Sequence, residues 1–136
     1  MYVIGLTGGI ACGKSTIVST LQNFDNCRVL NADLLGHQTY ASSTSKAFQE
    51  IVEAFGDEVV QKSPSDGSLS IDRKALGARV FGNPEQLKKL TDIVYPAIKE
   101  LAEIEIEKIK QKECEQQDKK ETIVILEAAV LIEAGW

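Results

Sequence analysis

The sequence predicts a three-layer α/β fold on a parallel sheet, with a mostly helical insertion between the second and third strands. Short apolar runs, Tyr2-Val-Ile-Gly-Leu6 and Thr122-Ile-Val-Ile-Leu126, read as strands buried on both faces, the pattern of a parallel sheet. A glycine-rich turn, Gly5 to Thr16, joins the first run to a segment with helical spacing of apolar residues. Open doubly wound sheets commonly have about five strands or more. Only three are legible here, so the sheet is expected to be incomplete at its carboxyl-terminal side.

Taken in order, Tyr2 to Leu6 is the first strand. Lys14 to Phe24 is expected to be helical, with Ile17, Val18 and Leu21 on one face, until Asp25-Asn26 breaks it. Arg28-Val-Leu30 is a second strand, ending in Asn31-Ala-Asp33, which completes a right-handed strand–helix–strand unit. A helix is expected from Ser45 to Phe55, stopped by Gly56, and Ser63-Pro-Ser-Asp-Gly-Ser68 is a solvent turn. Asp72 reads as the N-cap of a helix over Arg73 to Phe81, and Asn83-Pro84 as a cap followed by proline at the first helical position. Pro96 is expected to interrupt that helix and start another. From there to about Lys120 the mixed charges suit a solvated helix supported by pairs three and four apart, with Ile98, Leu101, Ile104 and Ile109 only partly in step. Leu76, Val80, Phe81, Leu87, Leu90 and Ile93 are core candidates rather than a cofactor box. At 136 residues the chain is one domain. Residues 1–41 and 121–136 form its nucleotide-binding core, and residues 42–120 the helical insertion for an acceptor.

The totals exclude several functions. A net charge of −5, from 15 basic and 20 acidic residues, argues against a nucleic-acid binder, which normally carries a basic face. The three cysteines form no C-x-x-C pair, and with one histidine a zinc site is not expected. An odd number of thiols suits a reducing compartment. No run approaches the roughly 18 apolar residues of a membrane span, and the apolar start is too short for a secretory signal. A cytoplasmic location is expected, or an organellar one after removal of an unseen leader.

Gly8-x-x-x-x-Gly13-Lys14-Ser15 matches the P-loop pattern in full, with a strand before it and a helix after it. Glycines let the backbone curl so that successive N–H groups make a nest for phosphate oxygens, and the helix start adds partial positive charge. Gly8, Gly9, Ile10, Ala11, Cys12, Gly13, Lys14, Ser15 and Thr16 are therefore the expected ATP-binding residues. Lys14 would reach the terminal phosphates and Ser15 would ligate magnesium. Cys12 reads as a small filler in the nest rather than a redox switch. Asp33 follows the second strand, where ligands of open parallel sheets gather. A carboxylate there either accepts a proton from an attacking hydroxyl, holds magnesium through water, or merely caps a helix. Glu127 has a similar choice between a magnesium-associated acid and a plain strand end.

The ordered set GLTGGIACGKS, NADLLGH, SIDRKALGARVFGNPEQLKKLTDIVYP and VILEAAVLIEAGW resembles dephospho-CoA kinase across essentially the whole chain. Its last two segments are especially similar to the kinase domain of bifunctional animal-type CoA synthase. The resemblance implies transfer of the γ-phosphate of ATP, with Mg2+, to the ribose 3′-hydroxyl of dephospho-CoA, the last step of coenzyme A biosynthesis. It makes Asp33 the base for that hydroxyl, Lys14 the cation on the moving phosphoryl, Ser15 the magnesium ligand and His37 a substrate contact. It places Leu131, Ile132 and Glu133 along the dephospho-CoA site. It also implies that the first strand lies beside the third, with the second outside. Departures from the family pattern are Asn31, where many relatives carry aspartate, Tyr95, where many carry histidine, and Ala11, where glycine is common. Ala11 is expected to be tolerated if its φ stays negative. The family's chain continues with another strand and a lid helix carrying an arginine, so a chain ending at Trp136 is expected to bind and turn over poorly. A missing arginine of that kind costs about 10³-fold by analogy with arginine fingers. The implied setting is a larger bifunctional CoA synthase chain, with mitochondrial association if that chain is eukaryotic. The alternatives are another P-loop kinase for a small metabolite or nucleotide, or a non-catalytic nucleotide-binding fragment.

Overall fold

The computed structural model describes residues 1–9, 11–115, 121–129, 131–132 and 134–136, which fall into two compact units. The first unit comprises Met1–Leu35 and Lys99–Trp136, and the second comprises Gly36–Ile98. The second is thus shorter than the expected insertion and begins inside a helix.

In the first unit, β1 (Tyr2–Leu6), β2 (Cys27–Asn31) and β5 (Ile123–Glu127) form a parallel sheet in the order β1-β5-β2. This is the expected order, with the last strand between the first two. Register is level throughout: Tyr2 and Cys27 both pair with Ile123, and Leu6 and Asn31 both pair with Glu127. Pairing on both sides explains why Val124 and Ile125 are buried. Expected burial fails for β1, where Tyr2, Val3 and Ile4 are 57%, 50% and 48% exposed. This strand lies at an edge of the sheet, and α1 (Lys14–Leu21) buries none of its own residues, so it makes a thin covering layer. Ile17 is itself exposed, although it was expected on the apolar face. α1 also stops three residues before Phe24, because Asn23 and Phe24 donate to Thr20 and Leu21 in successive tight turns.

The start of β5 is held by a side chain nine residues earlier in the chain. The Glu113 carboxylate accepts from the Thr122 backbone N–H at 2.8 Å, with the Met1 ammonium 4.0 Å away. That hydrogen bond lowers the Glu113 pKa from the ordinary carboxylate value. The unfolded chain therefore binds this proton more readily than the folded one, so the contribution is present above the ordinary value and lost as pH falls through the lowered one. Glu113→Gln keeps an acceptor but removes the titration. Its urea-unfolding stability should fall less steeply than that of the native sequence from about pH 5 downwards. Equal slopes would show that Glu113 has no such coupling.

The second unit is built on α3 (Lys46–Phe55), whose Ala47, Phe48, Ile51 and Phe55 are buried at helical spacing. Ser45 caps it by accepting from the Phe48 N–H, and Gly56, with φ of 83°, ends it. A short 3-10 turn (Asp57–Val59) leads to an antiparallel hairpin of β3 (Val60–Lys62) and β4 (Leu69–Ile71). The expected turn is the hairpin loop, closed by Ser63 N–H donating to Ser68 O at 2.8 Å. The strands themselves were not foreseen, since three residues each are too few to show alternation. Asp72 caps α4 (Arg73–Val80) as expected, accepting from the N–H groups of Lys74 and Ala75 at 2.9 and 3.1 Å. Phe48, Ile51, Phe55, Val59, Ile71 and Leu76 form the core, with Val80, Leu90 and Ile93 packed beside it. Phe81 and Leu87 are exposed rather than core, because α4 ends at Val80 and Phe81 turns into extended backbone.

α5 (Pro84–Glu115) runs from the second unit into the first. Asn83 caps it, accepting from the Gln86 N–H at 3.2 Å. Pro96 does not interrupt it as expected; it lies inside a continuous 32-residue helix. An interior proline costs about 3 kcal/mol. Burial on either side offsets that cost, since Ile93 and Val94 pack on the core before it and Ile98 and Ala102 are buried after it. The expected end near Lys120 lies outside the described residues.

Candidate active site

The loop between β1 and α1 has the backbone its glycines allow. Gly8 and Gly13 adopt φ of 155° and 89°, values that suit glycine best. A Cβ on Gly8 would stand 2.6 Å from Cys12 Sγ, whereas one on Gly9 or Gly13 would meet nothing within 4 Å. Cys12 thus fills the space left by Gly8, as expected of a filler. Gly13 caps α1 without a side-chain acceptor, and its carbonyl already accepts from the Thr16 N–H at 3.1 Å, so the helix start has the N–H groups of Lys14 and Ser15 to offer to an anion. Lys14 Nζ lies over the loop, donating to Gly8 O at 2.5 Å and Gly9 O at 3.0 Å, with Cys12 Sγ at 3.7 Å. Ser15 and Thr16 follow in the first turn and are exposed. Ile10 lies outside the described residues.

Ala11 departs from expectation: its φ is 59°, in the left-handed region. A residue with a Cβ loses about 1–2 kcal/mol there. Glycine would relieve this but gain roughly 0.4–1 kcal/mol of unfolded-state freedom. Ala11→Gly should therefore raise stability by about 0.5–1 kcal/mol, measured by urea unfolding. A loss of stability would mean that Ala11 is unstrained.

Asp33 enters from the other side of the sheet's carboxyl edge. It lies in the first turn of α2 (Ala32–Thr39) and is exposed. Asn31, not Asp33, caps this helix, since Asn31 Oδ1 accepts from the Leu34 N–H at 3.1 Å. The capping alternative for Asp33 is thereby removed. Asn31 Nδ2 also donates to Glu127 Oε2 at 2.8 Å. β1 and β2 end level on either side of β5. Neighbouring strands lie about 4.8 Å apart, so the phosphate loop and Asp33 leave the sheet about 10 Å apart on one edge.

The remaining expected site residues fall in both units. Leu131 lies on β1, its Cδ2 only 2.6 Å from where a Gly5 Cβ would stand. Ile132 is 76% exposed, and Glu133 lies outside the described residues. His37, in the second unit, has its Nδ1 2.8 Å from Tyr40 Oη, with the two rings edge to face. Burial raises the Tyr40 phenol pKa, and the Arg73 guanidinium opposes that rise. Tyr40 was missed, although it follows His37 by three residues, the spacing that brings side chains together over a helical turn. Because the chain has one histidine, its imidazole nitrogen signals can be read directly. Tyr40→Phe should shift the balance of the two neutral tautomers in those signals; unchanged shifts would mean that the pair is not formed.

Among the described residues, no group of three His, Cys, Asp or Glu could hold a metal ion. Magnesium here would suit the loop by taking most of its ligands from phosphate and water, with Ser15 as the protein's hydroxyl.

The family model for dephospho-CoA kinase matches residues 2–136. Dephospho-CoA kinase of Geobacter sulfurreducens is 38% identical over 99% of this chain and 61% of its own length. That of Dehalococcoides mccartyi is 35% identical over 100% and 61%. A dephospho-CoA kinase domain-containing protein of Danio rerio is 40% identical over 72% of this chain and 40% of its own. A crystal structure of a Thermus thermophilus protein superposes with a TM-score of 0.69 at 30% identity, over 99% of this chain and 59% of that one. Dephospho-CoA kinase from Campylobacter jejuni, at 21% identity and a TM-score of 0.66, shares the fold over 95% of this chain and 59% of its own. The chain spans about 60% of the length of its bacterial relatives. With both the phosphate loop and the whole matched length in agreement, the chain belongs to the dephospho-CoA kinase family.

Proposed function

We propose that the protein binds ATP on Gly8–Thr16 and transfers its γ-phosphate to the ribose 3′-hydroxyl of dephospho-CoA, completing coenzyme A. One observation carries the reading: a phosphate loop and an exposed acid leave the same sheet edge with one strand between them. In this reading the loop amides hold the phosphate tail, and Lys14 offsets charge on the moving phosphoryl group. Asp33 accepts the hydroxyl proton as that oxygen bonds to phosphorus and ADP departs. Magnesium, when bound beside Ser15, supplies charge neutralisation. His37 is assigned to the acceptor, together with Leu131, Ile132 and Glu133, and the 42–120 segment to its binding. The closing segment's likeness to animal-type CoA synthase supports a fused adenylyltransferase partner. The cysteines at 12, 27 and 114 are free, which suits a cytoplasmic setting. No helix among the described residues is long and apolar enough to cross a membrane.

The test compares ADP release with dephospho-CoA, shikimate, gluconate and nucleoside monophosphates. Dephospho-CoA should be preferred by orders of magnitude in kcat/KM. Equal turnover of a nucleoside monophosphate would defeat the assignment in favour of a different P-loop kinase.

A further inference from the structure

Asn31 uses both ends of its side chain. Its amide nitrogen donates to Glu127 Oε2 at 2.8 Å, and its oxygen accepts from the Leu34 N–H at 3.1 Å. The two partners fix which end is which, because a carboxylate requires the NH₂ group and a backbone N–H requires the oxygen. Few side chains satisfy both demands from this position. Aspartate would cap the helix but set a second carboxylate against Glu127, and serine would cap it but lacks the reach. Glu127 ends the central strand and is in register with Leu6, the last residue of the strand that feeds the phosphate loop. Asn31 therefore ties that strand end to the helix start that carries Asp33 two residues later.

We propose that Asn31 is a positioning residue: through its bond to Glu127 it sets where Asp33 stands relative to the phosphate loop. The bond is between neutral amide and charged acid, so exchanging the two should preserve it. Asn31→Asp alone places like charges together. Asn31→Asp with Glu127→Gln rebuilds the pair with donor and acceptor reversed, and aspartate still caps the helix.

The proposal rests on the role given to Asp33 above, so the test has two readouts on the native chain, the two single variants and the double variant. The first is the unfolding equilibrium constant from urea titration. Asn31→Asp should make unfolding about 10-fold more favourable, and the double variant should return to within about 3-fold of the native value. The second is kcat with dephospho-CoA well below the unfolding midpoint. Asn31→Asp should lose about 10-fold in kcat with the KM for ATP changed less than about 2-fold, and the exchange should recover most of that loss. Additive unfolding effects, a native kcat in Asn31→Asp, or a double variant no faster than Asn31→Asp would each overturn the proposal. If a nucleoside monophosphate is turned over in place of dephospho-CoA, the acceptor reading fails, and the same kcat comparison made with that acceptor, beside the unfolding cycle, still decides the role of Asn31.

Discussion

Lys14→Ala is expected to weaken ATP binding by about 10-fold and to lower kcat by a further 10²–10³-fold, the cost of removing one donor aimed at developing charge. Two effects combine at this residue. The ammonium is a point charge on a flexible stem, suited to following a phosphoryl group as it moves. It also organises the loop, since it donates to the carbonyls of Gly8 and Gly9 and lies beside Cys12. Loss of charge should show mainly in kcat, and loss of loop order mainly in affinity. Global stability should change little, because Lys14 is absent from the buried core. Calorimetric ATP titration and ADP release, read together, separate the two effects. If both ATP affinity and kcat stay within about 3-fold of the native values, the loop does not hold phosphate as argued.

The parts of the structure that were legible in the sequence are those set by near neighbours. Asp72 and Asn83 cap the helices expected of them because a cap reaches only two or three residues onward. The phosphate loop was legible for the same reason: its glycines, lysine and serine lie within eight residues. Misreadings came where distant chain decides. An apolar run cannot say whether its strand will be central, like β5, or at an edge, like β1. A proline cannot say whether burial before and after it will carry a helix through, as at Pro96. Even the order of the sheet was supplied by family resemblance rather than by periodicity. The Asn31–Glu127 pair spans 96 residues and exists only because β2 and β5 are parallel and level. Ala11 shows the limit within a legible motif, since spacing does not reveal which residue of the loop takes positive φ.

Asp33→Asn is the sharper test of chemistry, because it changes one group's capacity to accept a proton and very little else. Asparagine has nearly the same shape, the residue is exposed, and the cap of α2 is supplied by Asn31. Stability should therefore move by less than about 0.5 kcal/mol, as for surface substitutions generally. ATP affinity should also be spared, since Asp33 lies on α2 and the phosphate loop on the far side of β5. The expected loss is confined to turnover and amounts to about 10²–10⁴-fold in kcat, the range for a positioned general base. Asp33→Glu retains the carboxylate but advances it by one methylene, and should fall between the native chain and Asp33→Asn. Magnesium dependence distinguishes a base from a metal ligand. A base loses turnover whatever the magnesium concentration, whereas a lost ligand is partly offset by raising it. Native kcat in Asp33→Asn would remove the residue from the mechanism. Recovery on adding magnesium would reassign it to the metal.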